Sequence, residues 1–206
     1  MSVLRTLAVS VSLIVLGLVT LAIATDDFRA FTSETARRIE VRQHPRPLPP
    51  VTLESQTGER FDLAGLRGKW LVVDFIYTRC MSLCSVLGGK FVQLQDQLAT
   101  PLAQNRIQLL SISFDPERDT PAQLADYLYR FNNHGTGWLA ARPLNAQGLD
   151  TLKHVFGVTV VPDNAGGYVH NDAIEIVDPQ GRLVNILDSD TPAKSVGEIV
   201  LRYLNR

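Results

Sequence analysis

The amino-acid sequence predicts an α/β sandwich, a mixed sheet with helices on both faces, preceded by one N-terminal transmembrane or signal-anchor helix. Three observations carry this expectation. The run at 70–76 (WLVVDFI) is apolar and β-branched almost throughout, the pattern of a strand buried on both faces. Apolar residues at helical spacing come next, and 107–114 (IQLLSISF) returns as a second strand, which completes a βαβ unit. Two strand pairs flank that unit, turning about Gln56-Thr57-Gly58 and about Asp178-Pro179-Gln180-Gly181.

From the N-terminus, residues 7–24 (LAVSVSLIVLGLVTLAIA) are uncharged and mostly apolar, with Arg5 before them and Asp26 and Asp27 after. A run of about 18 residues exceeds a signal-peptide core of roughly 7–15 and reaches the lower limit for a spanning helix. An uncleaved anchor over 1–25 is therefore expected, although Ala22-Ile23-Ala24 also has the small-x-small form of a cleavage site. Both readings export the globular part of the chain. An uncleaved anchor makes this a single-pass bacterial inner-membrane protein with its soluble domain in the periplasm, and cleavage would release that domain there. Residues 26–50 read as a spacer, because Arg37, Arg38, Arg42, His44, Arg46 and a cluster of prolines disfavour compact packing.

The globular domain is expected over 51–206. Its first hairpin pairs 52–55 with 60–63, and a short segment at 64–68 leads to the 70–76 strand. Val86, Leu87, Phe91, Leu94 and Leu98 mark a helix through Ala99. After the 107–114 strand, Thr120 and Pro121 supply an N-cap and a first-turn proline for a helix with Leu124, Tyr127, Leu128 and Phe131 on its apolar stripe. A short strand at 138–140 precedes a helix capped by Asn145 and stopped by Gly157. Strands at 173–177 and 183–187 form the second hairpin, and Thr191-Pro192 opens a last helix through Leu204. This order of elements describes a sandwich of the thioredoxin type.

Composition bounds the function. A chain of 206 residues with 45% hydrophobic content buries one core of ordinary size. Its 20 basic and 21 acidic residues are spread along the chain, so no polybasic field is available to hold nucleic acid.

The chemistry centres on Cys80-Met81-Ser82-Leu83-Cys84, the only two cysteines, four positions apart just after a buried strand. A thiol at a helix N-terminus meets main-chain N–H groups and the positive end of the helix dipole, which favours the thiolate, both a nucleophile and a metal ligand. The spacing suits a disulfide or two legs of one metal site and does not choose between them. A bridge that only staples the fold gains little, since so short a loop removes little chain entropy. A soft metal held by two thiolates needs a third ligand. His44 lies in the spacer, His134 in a loop, and His154 midway along a helix, all with ordinary structural roles available. Met81 offers a thioether, though apolar gap-filling is the commoner use. His170 enters a strand expected to neighbour the one that feeds the cysteine loop, which favours it on geometry; a satisfied structural histidine stays open beside that reading. Two thiolates and an imidazole also suit zinc with a water.

The residues resemble the Sco/SenC family of copper-binding proteins of cytochrome c oxidase assembly. The resemblance rests on Phe75-Ile76-Tyr77-Thr78-Arg79-Cys80 with Cys84, on 111–121 (SISFDPERDTP), and on His170 ahead of 174–181 (IEIVDPQG). It implies a membrane-tethered thioredoxin fold in which Cys80, Cys84 and His170 hold copper. Its implied partner is the copper-bearing subunit of cytochrome c oxidase or another periplasmic copper protein. Two departures bear on mechanism. The family usually has proline after each cysteine and often an acidic residue between them, where this chain has Met81, Ser82, Leu83 and Ser85. It commonly has Asp before the histidine, where this chain has Val169, so an acceptor that could orient the imidazole is expected to be missing. The 115–121 segment reads as a strand exit and helix cap. Two functions fit these residues: a metallochaperone that hands over copper by ligand exchange, or a thiol–disulfide oxidoreductase working through Cys80 and Cys84 on the acceptor's cysteines.

Overall fold

The computed structural model describes residues 3–25, 32–80, 83–131, 137–163 and 166–205, with the side chains of 4 and 83–85 outside that set. The chain divides into two compact units, Met1–Gln43 and His44–Arg206.

The first unit holds α1 (Val3–Ala24) and α2 (Ser33–Gln43). The hydroxyls of Ser12 and Thr20 along α1, and of Thr25 just after it, each donate to the carbonyl four residues back. Arg5–Ala24 is long and apolar enough to cross a membrane. α2 lies where a spacer was expected. Its start is set by Thr32, whose hydroxyl oxygen accepts from the Thr35 N–H, and Arg37 pairs with Glu34 at 2.7 Å in the first turn.

The second unit begins at His44, ahead of the expected start at Val51. Strand β1 (Arg46–Pro47) pairs with Arg182 and Leu183, and the Leu48 N–H donates to the Gly181 carbonyl. Proline is tolerated there because the strand sits at the sheet edge. Next come β2 (Thr52–Ser55), β3 (Arg60–Asp62), a 3-10 turn at Leu63–Leu66 capped by Asp62, and β4 (Trp70–Ile76). α3 (Leu83–Gln97) and a separate α4 (Ala99–Ala103) replace the single helix expected through Ala99. Pro101 explains the break, since its ring would clash with the carbonyl of Gln97 in one continuous helix. The chain continues through β5 (Ile107–Ser113), α5 (Pro121–Arg130), β6 (Trp138–Pro143) and α6 (Ala146–Phe156). The caps agree with expectation: Thr120 and Gln123 form a capping box, Asn145 accepts from the Gly148 N–H, and Gly157 ends α6 in the left-handed region at φ 68°.

One hairpin was not foreseen. β7 (Val160–Pro162) and β8 (Tyr168–His170) pair with each other outside the main sheet, and the chain only then enters β9 (Ala173–Val177), β10 (Arg182–Asp188) and α7 (Ala193–Leu204). His170 is therefore not on the strand beside β4; that neighbour is β9. Pro192 occupies the N-cap of α7 rather than its first turn.

The main sheet runs β1-β10-β9-β4-β5-β6-β2-β3, with β4, β5 and β6 parallel and the remaining pairs antiparallel. Val72 and Ile76 of β4 face a core built with Leu87, Phe91 and Leu94 of α3, Tyr127 of α5, and Val196 and Val200 of α7. Phe75 points the other way and meets Phe156 of α6 at 5.2 Å between ring centroids. Alternation along one strand thus puts helices on both faces, and β4 ends at the edge of both layers where the cysteine segment begins.

Candidate metal centre

The turn that carries Cys80 is held from below. Asp119, fully buried just before the cap of α5, accepts from the Thr78 N–H at 3.0 Å, the Thr78 hydroxyl at 2.7 Å and the Ser113 hydroxyl at 2.6 Å. Arg130 donates to the Thr78 carbonyl at 2.6 Å, and the Cys80 N–H closes the turn on the Tyr77 carbonyl at 3.1 Å. A carboxylate with three short donors is a strong, water-excluded anchor. Cys80 is buried, and Cys84 lies in the first turn of α3. The Cys84 side chain, Met81 and His134 fall outside the described residues.

β8 brings His170 to the same end of the fold. Its ring lies 4.7 Å from Phe114 and 6.4 Å from Tyr77, centroid to centroid, with Tyr168 packed edge-on against both of those rings. Asp115 ties this arm to the cysteine arm. It accepts from Arg79 at 3.3 Å, from Arg118 at 3.4 Å and from the Tyr168 hydroxyl at 3.3 Å, while Arg79 also donates to the Gly166 carbonyl at 3.4 Å. The residue before Cys80 and the residue two before His170 thus share one carboxylate.

The His170 side chain is only 2% exposed, and neither ring nitrogen has a hydrogen-bond partner among the described residues. A buried imidazole in that condition is costly unless something else occupies a nitrogen. Nδ1 comes to 3.0 Å from Oδ1 of Asp172 outside hydrogen-bonding alignment, so the two are in electrostatic contact. A carboxylate thus stands near the imidazole two residues after it, where none stands at Val169 just before it. Within electrostatic reach of Asp172 lies Asp74 of β4, fully buried, whose carboxyl is pushed up to about 7 by desolvation; the Ser111 hydroxyl offsets part of this and the Asp172 charge adds to it.

His170 and the Cys80 turn converge, whereas His154 is exposed on α6 and His44 is exposed at the start of the second unit. Among the described residues no three His, Cys, Asp or Glu side chains form a metal-holding group; Cys84 is not in that set. A buried thiol and an unpartnered imidazole at the same end of the fold nevertheless suit a soft metal in their donor types. Asp119, Asp115, Asp172 and Asp74 went unrecognised as site residues in the sequence. Asp74 and Asp172 lie within a few positions of Cys80 and His170, whereas Asp115 and Asp119 are more than 30 positions from either and come to the site only through packing.

The SCO1/SenC family model matches residues 40–205. The SCO1 protein homolog of Bacillus subtilis (strain 168) is 25% identical over 138 residues, 66% of this chain and 70% of its own. The Arabidopsis thaliana ScoI structure with copper bound matches with a TM-score of 0.67 at 20% identity, over 76% of this chain and 97% of its own. BsSco, a member of the Sco family of cytochrome c oxidase assembly proteins in which a disulfide switch is identified, matches with a TM-score of 0.63 at 23% identity, over 77% of this chain and 93% of its own. At these identities the structural matches establish the fold. The family match takes in the Cys80 turn, the Asp115–Asp119 segment and the His170 hairpin together, and the chain belongs to the SCO1/SenC family.

Proposed function

We propose that the chain carries copper through Cys80, Cys84 and His170 and passes it by ligand exchange to a thiol-bearing acceptor, the copper-bearing subunit of cytochrome c oxidase. The observation that carries this reading is the buried, unpartnered His170 imidazole, joined to the Cys80 turn through Tyr77 and through Asp115. Copper is the cargo. Thiolates favour Cu(I) and the imidazole tolerates Cu(II), so the same ligands serve both states during transfer. The copper bound in Arabidopsis ScoI supports the choice of metal. α1 supplies a single-pass anchor that keeps the copper domain at the periplasmic face of the inner membrane.

A second reading, a thiol–disulfide oxidoreductase acting on the acceptor's cysteines, is favoured by the position of Cys84 in the first turn of α3 and by the disulfide switch of BsSco. Cys80→Ser, Cys84→Ser and His170→Ala variants separate the two. Chaperone function requires all three residues for transfer of copper to a reduced acceptor peptide. Reduction of an oxidised acceptor that persists in H170A, with copper transfer unchanged, favours the oxidoreductase.

A further inference from the structure

We infer that Asp172 is the positioning residue for His170: its carboxylate takes the Nδ1 proton as a hydrogen bond and leaves Nε2 as the nitrogen that meets copper. The inference rests on the proposed role of His170.

The first support is distance and burial. Asp172 Oδ1 stands 3.0 Å from Nδ1, the two side chains are 6% and 2% exposed, and that oxygen has no hydrogen-bond partner among the described residues. Bonds of this kind often align only when the ligand arrives, and at this separation a rotation of the ring or carboxylate is enough. The second support is the backbone between them. Asn171 is clamped on both ends: its side-chain oxygen accepts from the Thr159 N–H at 2.6 Å, its side-chain amide donates to the Gly157 carbonyl at 2.9 Å, and its N–H donates to the Thr159 carbonyl at 3.3 Å. Residues 170 and 172 therefore keep a fixed separation set by the end of α6 and the start of β7. The third support is charge. The Asp172 side chain is only 6% exposed and lies near a second, buried carboxyl, Asp74, a setting in which a carboxylate is favoured by a compensating cation. A metal bound through the imidazole supplies one, while the hydrogen bond raises the basicity of the ligating nitrogen.

The competing arrangement is a structural pair in which His170 carries its proton on Nε2 or on both nitrogens. Nitrogen-15 NMR of the full chain in detergent micelles, metal-free and reduced, at about pH 8, distinguishes the Nδ1–H, Nε2–H and doubly protonated rings without any variant. The expected spectrum is the Nδ1–H tautomer, with Nε2 bare. In Asp172→Ala that preference is lost, and copper retained against a competing chelator falls about 10–100-fold. Asp172→Asn, which keeps the shape, behaves likewise in the tautomer signal and controls for folding. An Nε2–H or doubly protonated ring in the wild type, or variants with unchanged tautomer and copper retention, overturns the inference. His170→Ala is measured alongside: if it loses copper while the Asp172 variants do not, only the positioning role fails, and if it keeps copper the ligand role of His170 itself fails.

Discussion

Thr78 presents both its N–H and its hydroxyl to the two oxygens of the Asp119 carboxylate, at 3.0 and 2.7 Å, and so fixes the turn two residues ahead of Cys80. The contact spans 41 positions of sequence and joins the end of β4 to the start of α5. Removing the hydroxyl while keeping the side-chain shape leaves a buried carboxylate short of one donor. Thr78→Val is accordingly expected to destabilise the domain by about 1–3 kcal/mol in urea unfolding and to speed alkylation of Cys80 in the folded protein. Unchanged stability and labelling would remove Asp119 from the support of the site.

Asp115 holds Arg79 and Arg118, yet both arginine side chains are about half exposed while Asp115 is buried. The exposed partner of such a pair contributes little, so Arg118→Ala is expected to change stability by less than about 1 kcal/mol. Asp115→Ala leaves the Tyr168 hydroxyl and Arg79 without their shared acceptor, costs about 1–3 kcal/mol, and loosens the hairpin from the cysteine turn. Thermal unfolding of the two variants side by side reads the asymmetry.

Asp74 gives a pH dependence whose sign is fixed. Its folded-state value of about 7 lies above the ordinary 3.8, so the folded state holds a proton that the unfolded chain releases. Its stabilising contribution is complete below about pH 4 and is lost as pH rises towards 7. The shift corresponds to at most about 4 kcal/mol. Asp74→Asn cannot ionise, so the gap between variant and wild type in urea unfolding should shift in the variant's favour between pH 4 and pH 8. Parallel stability curves would contradict the burial assigned to this carboxyl.

Oxidation supplies a further expectation. A disulfide between Cys80 and Cys84 leaves no thiolate for copper, so diamide-treated protein should retain none after desalting, and dithiothreitol should restore binding. Copper retained equally by both forms would mean that the cysteines are not the ligands.

Much of this architecture was legible in the sequence because it depends on local pattern. The apolar run of β4, the Thr120–Pro121 and Asn145 caps, and the turn at Asp178–Gly181 each announce themselves within a few residues. The β7–β8 hairpin did not: its strands have three residues each, and Val161 and Val169 face solvent, so neither periodicity nor burial marks them. α2 was obscured by the arginines and prolines around it, although Thr32 carries an N-cap signal. Cys80 and His170 were visible as residue types in an ordered set of motifs. The carboxylates that support them were not, since the Asp119–Thr78 and Asp115–Tyr168 contacts exist only once distant segments have packed.

The most direct test of the copper-carrier reading is a titration of the reduced full chain in detergent micelles with copper, beside His170→Ala, scored as copper per chain after desalting. One copper per wild-type chain, with marked loss in H170A, is the predicted result. Equal copper in both proteins, or none retained by the wild type, would contradict a site built on Cys80, Cys84 and His170.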